Sequence, residues 1–289
     1  MNLLFGEQVL LLSNYQIRLF LLSFNNKNGQ QYFLTCGYWP IITTLIEEMT
    51  VLPYKEKEKS KKTQVQQMFN NISKSYDLLN HVLSFGIDIL WRKKAIKLLK
   101  KEKPEIILDV ATGTADFAIE SMKLKPKEVV GVDIADSMLD IGRKKIKKLN
   151  LQNVITLSHA DSEKLPFEDN KFDAAIVSFG VRNFENLEKG LAEMQRVIKN
   201  GGVLVVLEFS KPRKFPMKQF YNFYFKYILP IIGKIVSKDN SAYTYLPESV
   251  NAFPDGKAFL NILDELGFKE TKWIPLTFGI SSIYWGKKR

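Results

Sequence analysis

Four short stretches of this chain put acidic or small residues where an apolar run ends, and together they describe a nucleotide-like site. The first is Asp109-Val-Ala-Thr-Gly-Thr-Ala-Asp116, a small-residue turn that lets a ligand approach the backbone. It holds one glycine, Gly113, where dinucleotide sites carry three. The second run closes on Asp133, whose carboxylate could accept hydrogen bonds from both hydroxyls of a ribose. The third closes on Asp161-Ser162, and an acid there could receive an adenine amino group. The fourth closes on Ser178-Phe-Gly-Val-Arg-Asn183. Each acid alone would suit an ordinary loop. Two of them on successive strand ends, with Leu165-Pro-Phe-Glu-Asp-Asn-Lys-Phe-Asp173 leading into the next strand, favour adenosylmethionine over a nicotinamide.

Residues at strand ends act together only if the strands lie side by side. Strands read at Glu105–Ala111, Glu128–Ile134, Val154–Ser158, Phe172–Ser178 and Val203–Phe209. Helical patterns fall between them at Phe117–Met122, Ser137–Leu149 and Leu187–Ile198. Short apolar runs separated by amphipathic helices indicate a parallel sheet buried on both faces. Ligands of such sheets bind beyond the carboxyl ends of the strands, where strand order reverses. Upstream, two helical segments occupy Gln64 to Lys100, broken near Ser84-Phe85-Gly86. Downstream, Gly256–Leu266 reads as a helix, and Lys269–Thr277 and Ile280–Trp285 read as an antiparallel hairpin across Phe278-Gly279. The expected fold is α/β: a Rossmann-like, doubly wound sheet, mostly parallel, ending in an antiparallel hairpin.

Composition narrows the field. The 289 residues are 45% hydrophobic and 25% charged, which excludes a disordered chain, a collagen-like repeat and a polytopic membrane protein. One cysteine, Cys36, allows no intrachain disulfide framework and no cysteine-built zinc site. His81 and His159 are too isolated for a histidine centre, so no metal is expected. Lys and Arg number 42 against 31 Asp and Glu, a formal charge of +11. The surplus lies after Met49 and concentrates in Arg92–Lys103 and Arg143–Lys148, both inside helical patterns where a solvated face is the plain explanation. Residues 1–48 read differently. Their apolar stretch Leu3–Phe24 is interrupted by Glu7, Asn14, Gln16 and Arg18, a poor membrane span. The expected organisation is an extension over 1–48 that is not part of the natural protein, a basic helical cap over 49–103, and a catalytic domain over 104–289 carrying an aromatic insertion near 211–255.

From about Gln64 onward the chain resembles the ubiquinone/menaquinone biosynthesis C-methyltransferases, toward their menaquinone-forming branch. The stretches that carry the likeness are MFNNISKSYDLLNHVLSFGIDILWRK (68–93), ILDVATGTAD (107–116), VSFGVRNFEN (177–186) and LEFSKP (207–212). The last two are the more selective, because generic methyltransferases share only the nucleotide loop. The resemblance implies the class I methyltransferase fold, and that Thr114, Asp133, Asp161, Ser162 and Ser178 contact adenosylmethionine, with Gly113 and Asp109 also among the cofactor-binding residues. It implies methyl transfer to a ring carbon of a polyprenyl naphthoquinol, or alternatively of a methoxy-polyprenyl benzoquinol. Ala111, Thr112 and Ala115 depart from the pattern, standing where methyltransferases often have glycine.

Other acceptors fit the residues poorly. Cytosine C5 methylation needs a thiolate, and Cys36 lies outside the expected domain. Adenine N6 methylation uses an Asn/Asp-Pro-Pro-aromatic turn after the fourth strand; here that turn is Ser178-Phe-Gly-Val. Catechol chemistry needs a metal among carboxylates, and no acid cluster beyond the cofactor set is evident. No separate RNA-binding module is present, so nucleic acid is not an expected partner. A quinol becomes nucleophilic at carbon once it loses a phenolic proton, and the site must then stabilise an oxyanion. Arg182 and Asn183 are the candidate partners of that oxygen, with Tyr76 a further hydrogen bond; arginine stays protonated and is a poor base. Seven aromatics in Phe215–Tyr227 follow the fifth strand at the ligand end. With residues 64–93 they could wall a slot for a polyprenyl tail, while nearby lysines hold the protein on anionic lipid. The expected location is the cytoplasm, against the inner face of the cell membrane, and a homodimer is compatible with the sequence.

Overall fold

The computed structural model describes the backbone of residues 6–10, 19–25 and 31–33 and the chain over 51–56, 58–228 and 241–289. Two units divide it, Met1–Thr50 and Val51–Arg289. In the first, β1 (Gly6–Leu10), β2 (Leu19–Asn25) and β3 (Gln31–Phe33) form an antiparallel sheet in that order. Much of the Leu3–Phe24 stretch lies outside the described residues.

The second unit opens with two helices, α1 (Lys61–Leu83) and α2 (Ile87–Leu99). The break between them falls where the sequence put it. Phe85 and Gly86 take φ of 52° and 73°, a left-handed turn that glycine adopts freely and that ends helix propagation. Then follow β4 (Ile106–Val110), α3 (Asp116–Ser121), β5 (Glu128–Asp133), α4 (Asp136–Lys148), β6 (Ile155–His159), β7 (Phe172–Ser178), α5 (Leu187–Val197) and β8 (Ile198–Phe209). Helices α6 (Met217–Phe223), α7 (Ser241–Ala252) and α8 (Lys257–Glu265) lead to the hairpin β9 (Phe268–Leu276) and β10 (Ser281–Lys288).

The seven strands of this unit lie in the order β6-β5-β4-β7-β8-β10-β9. β4 to β8 are parallel neighbours, and β10 runs antiparallel to both β8 and β9. Strand order reverses between β4 and β7, so the switch point lies at their carboxyl ends. Alternate residues of the central strands feed two apolar layers. Leu108, Val130, Ala175 and Leu204 join Leu191 and Met194 of α5 and Phe259 and Leu263 of α8 on one face. On the other, Ile107, Val129, Ile176 and Val205 join Trp91, Ala95, Ile96 and Leu99 of α2. Burial on both faces is why these strands read as continuous apolar runs.

β8 departs from the expectation by starting at Ile198 rather than Val203. Ile198 pairs with Phe172, and a register shift between Phe172 and Ala174 absorbs the extra residues. Helix α2 also departs from a simple solvated face. Arg92, counted among the solvated cations of its run, is buried and paired with Asp88 and Asp116.

Candidate active site

At the carboxyl ends of β4, β5 and β7 a cleft of about 640 Å³ opens. Ala111 and Gly113 line it from the β4 loop, Asp133 and Met138 from the end of β5 and the start of α4, and Asp161 and Ser162 from the end of β6. Ser178 and Asn183 line it from beyond β7, and α1 contributes Lys62, Phe69 and Tyr76. Gly113 N–H donates to Asp133 Oδ2 at 2.8 Å and Ala135 N–H to Oδ1 at 2.9 Å, fixing that carboxylate in the cleft wall. Burial pushes the Asp133 carboxyl above the ordinary range, and these N–H bonds work against it. The loop keeps the shape of a glycine-rich turn despite its alanines: φ is 52° at Ala111, 55° at Gly113 and 69° at Ala115. An alanine there costs roughly 1–2 kcal/mol, which the surrounding main-chain bonds from Thr112 to Val132 and from Ala115 to Thr112 must hold. Gly180 lets the fourth loop approach, since a Cβ there would lie 2.6 Å from that of Ala111.

Not every candidate side chain reaches the cleft. Asp109 is fully buried beneath the loop, accepting from Thr112 Oγ1 at 2.6 Å. Thr114 donates to Asp77 Oδ1 at 2.5 Å and accepts from Lys145 Nζ at 3.0 Å. Neither lines the cavity. Asp161 does, but it is already engaged: Lys62 Nζ donates to Oδ2 at 2.7 Å and Glu163 N–H to Oδ1 at 2.9 Å. Burial works upward on this carboxyl, and the Lys62 and Glu163 bonds outweigh it to hold it below the usual range.

A second cavity, about 550 Å³, adjoins the first through Phe69, Tyr76 and Phe179. Arg182 and Tyr245 line it together with Tyr76. Arg182, a candidate partner of the acceptor oxygen, is already paired within the protein. Its Nη1 donates to Glu208 Oε1 at 2.7 Å and to the Phe179 carbonyl at 2.5 Å, with 8% of the side chain exposed. Glu208 is wholly buried, and its carboxyl is pushed up by burial against the pull of Arg182. Asn183 Nδ2 donates to the same carbonyl at 3.3 Å, and its Oδ1 has no partner. A third cavity, about 970 Å³, continues from the second past Asn80, Phe179, Phe209 and Leu246. It is apolar, walled by Phe85, Ile87 and Trp91 from the cap and by Met217, Phe220, Tyr221, Tyr224 and Phe225 from the insertion.

Residues 57–288 match the model of the ubiE/COQ5 methyltransferase family. The chain belongs to that family. Its similar relatives include the demethylmenaquinone methyltransferase of Bacteroides fragilis, 49% identical over 239 residues, covering 82% of this chain and 97% of that protein. The demethylmenaquinone methyltransferase of Porphyromonas gingivalis is 44% identical over 82% of this chain and 98% of its own. Among solved structures, a methyltransferase of Thermotoga maritima described as a possible histamine N-methyltransferase aligns with a TM-score of 0.55 at 20% identity, covering 77% of this chain and 99% of that one. A phosphoethanolamine N-methyltransferase of Haemonchus contortus bound to S-adenosyl-L-methionine aligns at 0.50 and 13% identity, covering 68% and 52%. These solved structures share the fold. As a ubiE/COQ5 methyltransferase the chain uses S-adenosyl-L-methionine, and the cleft suits it: a fixed carboxylate at Asp133, an acid and a hydroxyl at Asp161 and Ser162, and apolar Ile134, Met138 and Phe184 between them.

Sequence reasoning missed the partners rather than the strand ends. Lys62 belongs to a lysine-rich stretch that reads as solvated, yet it meets Asp161, and Lys61 donates to the carbonyls of Arg182 and Phe184 at 3.2 and 2.8 Å. Burial pulls the Lys61 amine down to about 8. Asp77 of α1 and Asp116 of α3 share Lys145 of α4, each at 2.6 Å, tying α1 to the helices that follow β4 and β5. The lone available signal was charge type, because each pair joins elements far apart in sequence.

Proposed function

We propose that this chain methylates a ring carbon of demethylmenaquinol, a naphthoquinol with a polyprenyl tail, giving menaquinol. The observation that carries the reading is the sequence of three adjoining cavities, which runs from the cleft of Asp133 and Asp161, through a chamber lined by Arg182 and Tyr76, to an apolar slot. On this reading the ring lies at the middle chamber and the hydrocarbon tail along the apolar slot. The names of the relatives support the same acceptor.

When bound, adenosylmethionine supplies a methyl group on a sulfonium centre, open to in-line attack. On this reading Asp133 holds the ribose, with Asp161, Ser162 and Ser178 around the rest of the nucleoside and Gly113 giving backbone access. Arg182, held rigid by Glu208 and the Phe179 carbonyl, faces the ring oxygen and favours its phenolate, which pushes charge onto the ortho carbon. Tyr76 lies on the wall shared by cleft and chamber and orients the ring between them. Burial pushes the Tyr76 phenol above its ordinary value, with Asn80 and Arg182 working against that, so Tyr76 stays a hydrogen-bond donor. The apolar walls exclude water from the reacting carbon. We further propose that the protein works at a membrane surface, since its tail slot needs a lipid-dissolved substrate; among the described residues no helix is long and apolar enough to cross a membrane.

The test is direct. The full chain, adenosylmethionine and a short-tailed demethylnaphthoquinol under a reductant should yield a product heavier by one CH2, the methyl group having replaced the ring hydrogen that leaves as a proton, detected by mass spectrometry. Asp133→Ala should weaken adenosylmethionine binding about 100-fold, as expected from losing two charge-assisted hydrogen bonds. Methylation of a methoxy-benzoquinol alone, or of neither acceptor, would overturn the naphthoquinol assignment.

A further inference from the structure

Two residues that line the chamber beside the cleft each carry a buried polar atom without a partner. Tyr245, on α7, is 2% exposed, and its hydroxyl has no hydrogen-bond partner. Arg182 uses Nη1 on Glu208 and the Phe179 carbonyl, but its Nε–H also lacks a partner. Both residues line the same cavity, and the charges of Arg182 and Glu208 are felt at the Tyr245 hydroxyl. A buried polar group without a partner is destabilising, so two beside one cavity are unlike ordinary packing. Val65 and Met68 of α1 pack with Tyr245 in one apolar cluster, which fixes the ring and leaves the hydroxyl as its one polar feature.

We propose that Tyr245 is a substrate-positioning residue: its hydroxyl takes one ring oxygen of a 1,4-dioxygenated aromatic acceptor, and Arg182 takes the other. The inference rests on the quinol reading above and adds a geometric requirement to it. Two opposed oxygens anchor the ring at both ends, which fixes its oxygen-to-oxygen axis in front of the methyl donor. A hydroxyl can donate to a ring oxygen or accept from a ring hydroxyl, so Tyr245 serves the acceptor as quinol or as phenolate. An acceptor with one oxygen would leave one of the two protein groups buried and unpaired, and such a site rejects the incomplete ligand strongly.

Tyr245→Phe removes the hydroxyl and keeps the packing, which makes it the decisive variant. Binding is measured by calorimetry, anaerobically and with S-adenosylhomocysteine present. The ligands are a short-tailed 1,4-naphthoquinol and its two analogues that each lack one ring hydroxyl. Tyr245→Phe should weaken the quinol about tenfold, weaken one of the two analogues similarly, and leave the other within twofold. Affinity for S-adenosylhomocysteine and melting temperature should hold close to the parent values. Equal weakening of all three ligands, or any pattern other than the expected one, overturns the assignment. Failure of the unmodified chain to bind or methylate any naphthoquinol would instead remove the quinol reading itself, which the parent protein reports separately.

Discussion

The unusual residue beneath the cofactor loop is Asp109, an acid with no exposure at all. Burial pushes its carboxyl up to about 7, against the hydrogen bond from Thr112. An unfolded aspartate titrates near ~3.9, so between about pH 4 and 7 the folded chain holds a proton that the unfolded chain has lost. Stability contributed at this position is therefore present at acid pH and falls as pH rises through that window, by up to ~1.4 kcal/mol per pH unit. Asp109→Asn removes the titration. Its melting temperature relative to the parent should rise from pH 5 to about pH 7 and level off above it, and a constant difference from pH 5 to pH 8 would show that Asp109 folds fully ionised. Arg182 carries the opposite lesson. With Glu208 buried against it, Arg182→Ala would strand a carboxylate and cost ~3–5 kcal/mol of stability, mixing folding with chemistry. At this scale the sequence shows residue types at strand ends, which is why Asp133, Asp161 and Ser178 could be located. It does not show pairs such as Lys62 with Asp161 or Arg182 with Glu208, because no local pattern links residues on separate elements.

Elements were legible wherever a period or an apolar run defined them. The expected helices over 117–122, 137–149, 187–198 and 256–266 each lie within a residue or so of α3, α4, α5 and α8. Phe215–Tyr227 was legible as aromatic but not as oriented, because an aromatic run does not say which rings face inward. In the fold, Phe220, Tyr221, Tyr224 and Phe225 line the apolar cavity, while Phe223 and Tyr227 contact each other on the exposed side at 5.2 Å. The Phe85 and Tyr224 rings, 6.5 Å apart, close the slot between cap and insertion. The informative pair for a tail test is thus Phe220 with Tyr224 rather than Phe223. Doubly replacing them by serine should cut kcat/KM for a long-tailed quinol tenfold or more, while a tail-less analogue stays within about twofold, since each buried methylene is worth ~0.8 kcal/mol. Equal losses on both acceptors would make these aromatics core rather than slot.

At the scale of the whole molecule, charge and apolar exposure coincide on the cap. Phe85 and Phe220 line the slot and still expose 79% and 65% of their surface, and Leu78 and Leu90 are exposed on α1 and α2. Lys93, Lys94 and Lys97 are exposed on α2, in a chain whose formal charge is +11. Exposed apolar side chains beside a cationic helix face are the ingredients of interfacial binding, in which apolar insertion and attraction to anionic lipid add. Each lysine near such a surface contributes about 1 kcal/mol, and the attraction fades within a Debye length of about 8 Å at physiological salt. The protein should therefore float with vesicles containing about one third anionic lipid, float poorly with neutral ones, and release as salt rises. Leu78→Ser with Leu90→Ser should lower vesicle binding even at low salt, because it removes insertion and leaves the charge. The same variant should turn over a tail-less quinol as the parent does and lose rate only on long-tailed quinol presented in vesicles. Binding that ignores both lipid charge and these two leucines would detach the slot from the membrane, and the tail would then have to reach it from solution or from a carrier.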